Sequence, residues 1–162
     1  SDVESVLQKA VDAFSQMRSI EGENMKNDLL SRLVTIENLV SVIEERSPQR
    51  VEEYRNRLYQ KLSELLESKS IDDSRIVTEC AIFADKIAVD EETTRLRSHI
   101  GQFREIIALS EPIGRKLDFL IQEFNREANT IGSKCQDVEG ARVVVDIKSE
   151  IEKIREQVQN IE

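Results

Sequence analysis

The sequence predicts an all-α protein, with several long amphipathic helices folded into antiparallel hairpins and a heptad helix at the C-terminal end. Three observations carry this prediction. Only five Gly and two Pro interrupt 162 residues, so little in the chain breaks a helix. Charged residues reach 34% against 39% apolar, the balance of narrow apolar stripes between solvated faces. Apolar residues recur at steps of three and four, and strand-like alternation is absent. The length suits one domain, residues 1–162, with a core of its own. The first residue is Ser, which fits the C-terminal part of a longer protein.

Asp2 is placed to cap a first helix through Val3, Val6, Leu7, Ala10, Phe14 and Met17. Ser19-Ile20-Glu21-Gly22-Glu23 predicts a break or bend. A second helix then carries Met25, Leu29, Leu33, Ile36, Leu39, Val40 and Ile43. Ser47-Pro48 predicts a stop and restart, with Ser as cap and Pro in the first turn. The third helix follows through Val51, Tyr54, Leu58, Leu62 and Leu65. Lys69 to Asp73 reads as a loop, with Asp72 or Asp73 capping a fourth helix over about Ser74 to Ile87. Asp90 is placed to cap a fifth, through Leu96, Ile100, Phe103 and Ile107, which Pro112 ends. The next helix, from Gly114, buries Leu117, Leu120, Ile121, Phe124, Ala128 and Ile131. Gly132 is a natural stop for it, although the pattern can run on. Val144, Ile147, Ile151, Ile154, Val158 and Ile161 form the heptad ladder, whose partner is either the long second helix or another chain.

The net charge of −9 excludes nucleic-acid binding by a bulk basic field; phosphate contact needs local cations or a metal ion. Cys80 and Cys135 are far apart, and with no signal peptide or transmembrane run they read as reduced thiols of a cytoplasmic protein. Cys80 belongs to an apolar helical pattern, which predicts burial. No Gly-rich phosphate loop, CxxC pair or HExxH motif is present.

Three constellations remain. In Asp90–His99, Glu92, Arg95 and His99 share a helix face at steps of three and four, flanked by Glu91 and Ser98. His99, the only histidine, can ligate a divalent metal or move a proton. The simpler reading has it border the Leu96–Ile100–Phe103 stripe and satisfy a carbonyl. In Gly114–Lys134, Glu123 and Glu127 lie one turn apart and can share an ion through oxygen ligands. Arg115, Lys116, Arg126 and Lys134 can hold phosphates, and Gln122, Asn125 and Asn129 suit phosphate, sugar or base edges. An interhelical polar network explains the same residues equally well. In Met17–Asp28, Glu21 and Glu23 either add carboxylates to a shared site or solvate a helix break.

The stretches GRKLDFLIQEFNREANTIGSK and KSEIEKIREQVQNIE, with MRSIEGENM, YRNRL, KLSELL and ADKIAVDEETTRLRSHIGQF, resemble the C-terminal region of the bacterial YicC/YloC family. The likeness covers essentially the whole chain; Phe124 stands where Met or Leu is usual, and Cys135 where a small residue is common. The resemblance implies a metal-dependent endoribonuclease that uses Mn²⁺ or Mg²⁺, acts on RNA and assembles as a ring-like homo-oligomer, expected to be a hexamer. It also implies an N-terminal domain outside this chain. The family motifs map to Glu91, Glu92, Arg95, Ser98 and His99, and to Arg115, Asp118, Gln122, Glu123, Asn125, Arg126, Glu127, Asn129, Thr130 and Lys134. On this basis His99, Glu92, Glu123 and Glu127 are the candidate catalytic residues, with Glu91 added to them as metal ligands. Arg95, Arg115, Gln122, Asn125, Arg126, Asn129 and Lys134 are the candidate RNA-binding set. The opposing expectation is a non-catalytic helical scaffold that supports an active site in the N-terminal domain.

Overall fold

The computed structural model describes residues 2–66, 70–109 and 113–160. Five helices are present among them: α1 (Asp2–Leu66), α2 (Asp73–Ile87), α3 (Asp90–Ile107), α4 (Gly114–Lys134) and α5 (Val138–Gln159). The all-α prediction therefore holds, and the described residues contain no strand. Pro112, Lys69 and Ile161, placed by the sequence at a helix end, a loop and the last heptad position, lie outside the described residues.

The core is a four-helix bundle made by the middle of α1 with α3, α4 and α5. Leu29, Leu33, Ile36, Val40 and Ile43 of α1 are buried against Leu96, Ile100 and Phe103 of α3, Leu120, Phe124 and Ile131 of α4, and Ile147, Ile151 and Ile154 of α5. The Phe103 and Phe124 rings meet at 5.6 Å between centroids. Cross-helix ion pairs fix the directions. Arg104 reaches Glu37 at 2.6 Å and Arg97 reaches Glu44 at 2.9 Å, so α3 runs antiparallel to α1. Arg32 meets Glu150 at 3.0 Å and Arg46 meets Asp137 at 2.8 Å, so α5 is antiparallel to α1 as well. The result is an up-down-up-down bundle with α1 and α4 on a diagonal. The heptad ladder of α5 finds its partner inside the chain, in the middle of α1 and in α4.

The structure corrects the number of helices before residue 66. The sequence predicts three; α1 is one helix of 65 residues, with Pro48 inside it. Pro48 removes the bond to the Glu44 carbonyl, a cost of about 3 kcal/mol in a helix interior. The loss is tolerated because both flanks are fastened to the N-terminus of α5. Arg46 and Arg50 straddle the proline, and both pair with Asp137, at 2.8 and 3.0 Å. The bend expected at Gly22 is also absent: residues 19–23 stay helical, with Glu21 and Glu23 exposed.

Other boundaries follow the capping chemistry. Asp72 accepts from the Ser74 N–H at 3.0 Å and starts α2. Asp90 is not the cap of α3 but its first residue, with Val89 as N-cap. Gly132 does not stop α4, which runs on to Lys134. The glycine serves close approach instead, since a Cβ there would lie 3.1 Å from the Val144 side chain of α5. Both cysteines are buried thiols, and burial pushes the Cys135 thiol up.

Two parts extend from the bundle. The second half of α1 forms a hairpin with α2, joined by the stacked Tyr54 and Phe83 rings at 4.1 Å. At the other end, residues 3–24 of α1 are exposed throughout, including Val3, Leu7, Phe14, Met17 and Ile20. No helix is long and apolar enough to cross a membrane among the described residues.

Candidate metal centre

The antiparallel pairing of α3 and α4 brings the two polar motifs together. Steps of three and four place Glu92, Arg95 and His99 along one edge of α3. Glu123, Glu127 and Lys134 line the facing edge of α4, running in the opposite direction. At the centre, one donor atom each from His99, Glu123 and Glu127 lie within 4.8 Å of one another. The His99 Nε2 is 3.8 Å from Glu123 Oε2. Among the described residues this is the group of His, Cys, Asp or Glu side chains with the spacing to share a metal ion.

The electrostatics separate the carboxylates into two groups. Glu127 is only 3% exposed; Arg95 Nε donates to its Oε1 at 2.9 Å, and its Oε2 is buried without a hydrogen-bond partner. The His99 Nδ1 is likewise buried and unpartnered. Two orphaned polar atoms, one on each helix, are costly unless something completes them. Glu92 is different. Lys134 Nζ donates to it at 2.8 Å, and Arg95 lies 3.6 Å away. Burial alone would push the Glu92 carboxyl up. The Lys134 hydrogen bond, a backbone hydrogen bond and the charges of Lys134 and Arg95 outweigh burial and hold it below the usual range. Glu91 is exposed and pairs with Arg95.

Of the five metal-ligand candidates, His99, Glu123 and Glu127 converge, whereas Glu91 and Glu92 pair with cations outside the group. The donor set, one imidazole and two carboxylates, is of a chemistry that suits a divalent ion once the side chains draw closer together. The imidazole suits Mn²⁺ better than Mg²⁺, which prefers oxygen alone. Glu127 is the carboxylate of the group whose orientation is already fixed, by Arg95.

The RNA-binding candidates are dispersed. Arg95 and Lys134 are committed to the carboxylates just described. Asn129 accepts a hydrogen bond from Lys148 of α5 at 2.9 Å, on the far side of α4 from α3. Asn125 is half-buried; Arg115 and Gln122 are exposed. Arg126 is 74% exposed in its side chain, and its Nη1 lies 3.8 Å from Glu123. Phe119, which the spacing argument passes over, is 59% exposed on the same turn series. Its signal in the sequence is a large aromatic out of phase with the stripe of Leu117, Leu120, Ile121 and Phe124.

Residues 43–162 match the family described as "Endoribonuclease YicC-like, C-terminal". A protein named "Probable endoribonuclease YicC" from Clostridioides difficile (strain 630) is 48% identical over 163 residues, which cover 98% of this chain and 56% of that protein. A protein of the same name from Haemophilus influenzae (strain ATCC 51907 / DSM 11121 / KW20 / Rd) is 32% identical over 168 residues, 99% of this chain and 58% of that protein. The chain thus spans somewhat over half the length of these relatives. With the match over residues 43–162, the chain belongs to the YicC-like family and corresponds to its C-terminal region.

Proposed function

We propose that this chain carries the metal-binding part of a cytoplasmic endoribonuclease that hydrolyses RNA phosphodiester bonds. The observation that carries the proposal is the His99–Glu123–Glu127 group, with one unpartnered buried atom on His99 and one on Glu127. His99, Glu123 and Glu127 would hold a divalent cation there, which would supply Lewis-acid polarisation of a phosphoryl oxygen and a more acidic water. The chain's own residues do the rest. Arg95 fixes Glu127, Glu123 faces His99 across the helix pair, and His99 brings the group's imidazole. Arg126 and Arg115, both exposed on α4, give an acidic protein local cations for the phosphate backbone of RNA. The relatives' names agree with this reading.

The second reading, a structural module, is favoured by one specific observation: Glu92, Arg95, Lys134 and Glu127 form a polar network between α3 and α4. The two readings are compatible, because the network also positions Glu127. Self-association belongs to the proposal as well. The exposed stripe of Val3, Leu7, Phe14 and Met17 on α1 is an apolar face suited to a homo-oligomer, with a hexamer as the expected count.

The test is cleavage of a labelled structured RNA with Mn²⁺ and with chelator. Metal-dependent cleavage is expected, with a loss of at least a hundredfold in Glu123→Gln and in His99→Ala. Variants that cleave like wild type would remove the site from these helices. If the chain alone is inactive, the same substitutions in the full-length protein decide between catalysis and scaffolding.

A further inference from the structure

We propose that Phe119 forms a nucleobase subsite on α4, next to the metal centre; this rests on the RNA-cleaving function proposed above. Phe119 is one of the most exposed large apolar side chains of the bundle, yet it lies one helical turn before Glu123. At about 100° per residue, Phe119 and Glu123 lie about 40° apart around α4, and Phe119 and Arg126 about 20°. Arg115, one turn earlier, and Gln122 lie on the same exposed face. The face thus presents a row of cation, aromatic ring and cation, with a neutral amide beside it. Along its α3 edge it borders the His99–Glu123–Glu127 group.

That row matches the needs of a single-stranded nucleic acid. A base stacks on an aromatic ring, and the neighbouring phosphates, spaced by several ångströms, meet cations. Arg115 lies about 6 Å before Phe119 along the helix and Arg126 about 10 Å after it, at 1.5 Å rise per residue. Gln122 offers both a donor and an acceptor to a base edge. The ring is outside the core cluster, so its exposure serves no packing in this chain. The ligand is an unpaired nucleotide of RNA whose base lies on Phe119, which brings an adjoining phosphate towards Glu123 and His99.

The experiment is binding of a short single-stranded RNA carrying 2-aminopurine, in chelator so that no cleavage occurs. Wild type, Phe119→Ala, Phe119→Leu and Phe119→Trp are compared, with thermal unfolding of each recorded. The expected result is fluorescence quenching on binding to wild type and an affinity loss of about 5- to 150-fold in Phe119→Ala. Phe119→Leu should lose nearly as much and Phe119→Trp should bind like wild type, because stacking needs a π face. Equal binding by all four, or full retention in Phe119→Leu, overturns the subsite while leaving the nuclease reading intact. A loss of self-association in Phe119→Ala with RNA affinity unchanged also overturns it, and assigns the ring to a protein interface. If wild-type chain and full-length protein alike neither bind nor cleave RNA when Mn²⁺ is supplied, the nuclease reading itself fails, and the subsite with it.

Discussion

Among single residues, the division of labour between the carboxylates is set by which cation each one meets. Glu92 was one of the ligand candidates, on a shared helix face with Arg95 and His99. It is engaged instead by Lys134, 42 residues away in the chain. No local pattern encodes a partner on another helix, so this part of the site was not legible. His99, Glu123 and Glu127 were legible, as a lone imidazole and an i,i+4 acid pair. Lys134→Met strands the buried Glu92 carboxylate. The expected cost is about 2–3 kcal/mol, since Lys134 retains some water. That corresponds to a fall in Tm of roughly 5–10 °C by thermal denaturation. An unchanged Tm would show that the pair contributes nothing. Acid should act through the same groups. The Arg104 hydrogen bond holds Glu37 below its ordinary value, and Lys134 with Arg95 does so for Glu92 against its burial. A depressed folded pKa means that the unfolded chain binds more protons in the window between the two values. Stability from these groups is therefore complete above about pH 4.5, their ordinary value, and is lost as pH falls through the lowered values. Urea denaturation from pH 7 to pH 3 should show constant midpoints down to about pH 5 and a steep fall below it.

For whole elements, helix stripes and the ends of α2 were readable, and the two breaks expected within α1 were not there. The faces of α3, α4 and α5 followed directly from apolar spacing, and every named core position of α4 is buried. Ser47-Pro48 misled because the local cost of proline is offset by contacts distant in sequence, the Arg46 and Arg50 pairs with Asp137. Gly22 misled for a different reason: a single glycine costs about 1 kcal/mol, too little to break a helix continued on both sides. Pro48 is exposed, so Pro48→Ala loses no core packing and restores the donor to the Glu44 carbonyl. Stability should rise by about 1–3 kcal/mol, seen as a higher urea midpoint at constant slope. A lower midpoint would mean that the proline fixes a curvature the bundle needs.

At the scale of the molecule, the bundle explains why an acidic, aromatic-poor chain can still present a defined site. Antiparallel α3 and α4 act as a clamp whose two edges carry the donors, while α1 and α5 bury the opposite sides of the pair. Among the described residues, the apolar stripe on residues 3–17 is a long exposed face that the chain leaves uncovered. Phe14→Glu combined with Leu7→Glu should lower the mass observed by sedimentation velocity without changing helix content, because neither residue packs in the core. An unchanged mass would place self-association elsewhere. The most direct test of the metal centre uses the whole fold as the reporter. An ion bound across α3 and α4 in the native state alone must raise the Tm. Thermal unfolding of wild type, Glu123→Gln and Glu127→Gln, with and without Mn²⁺, is the measurement. A Mn²⁺-dependent rise is expected in wild type, and it should disappear in both variants. A rise of equal size in all three proteins, or none in wild type, would contradict the metal centre.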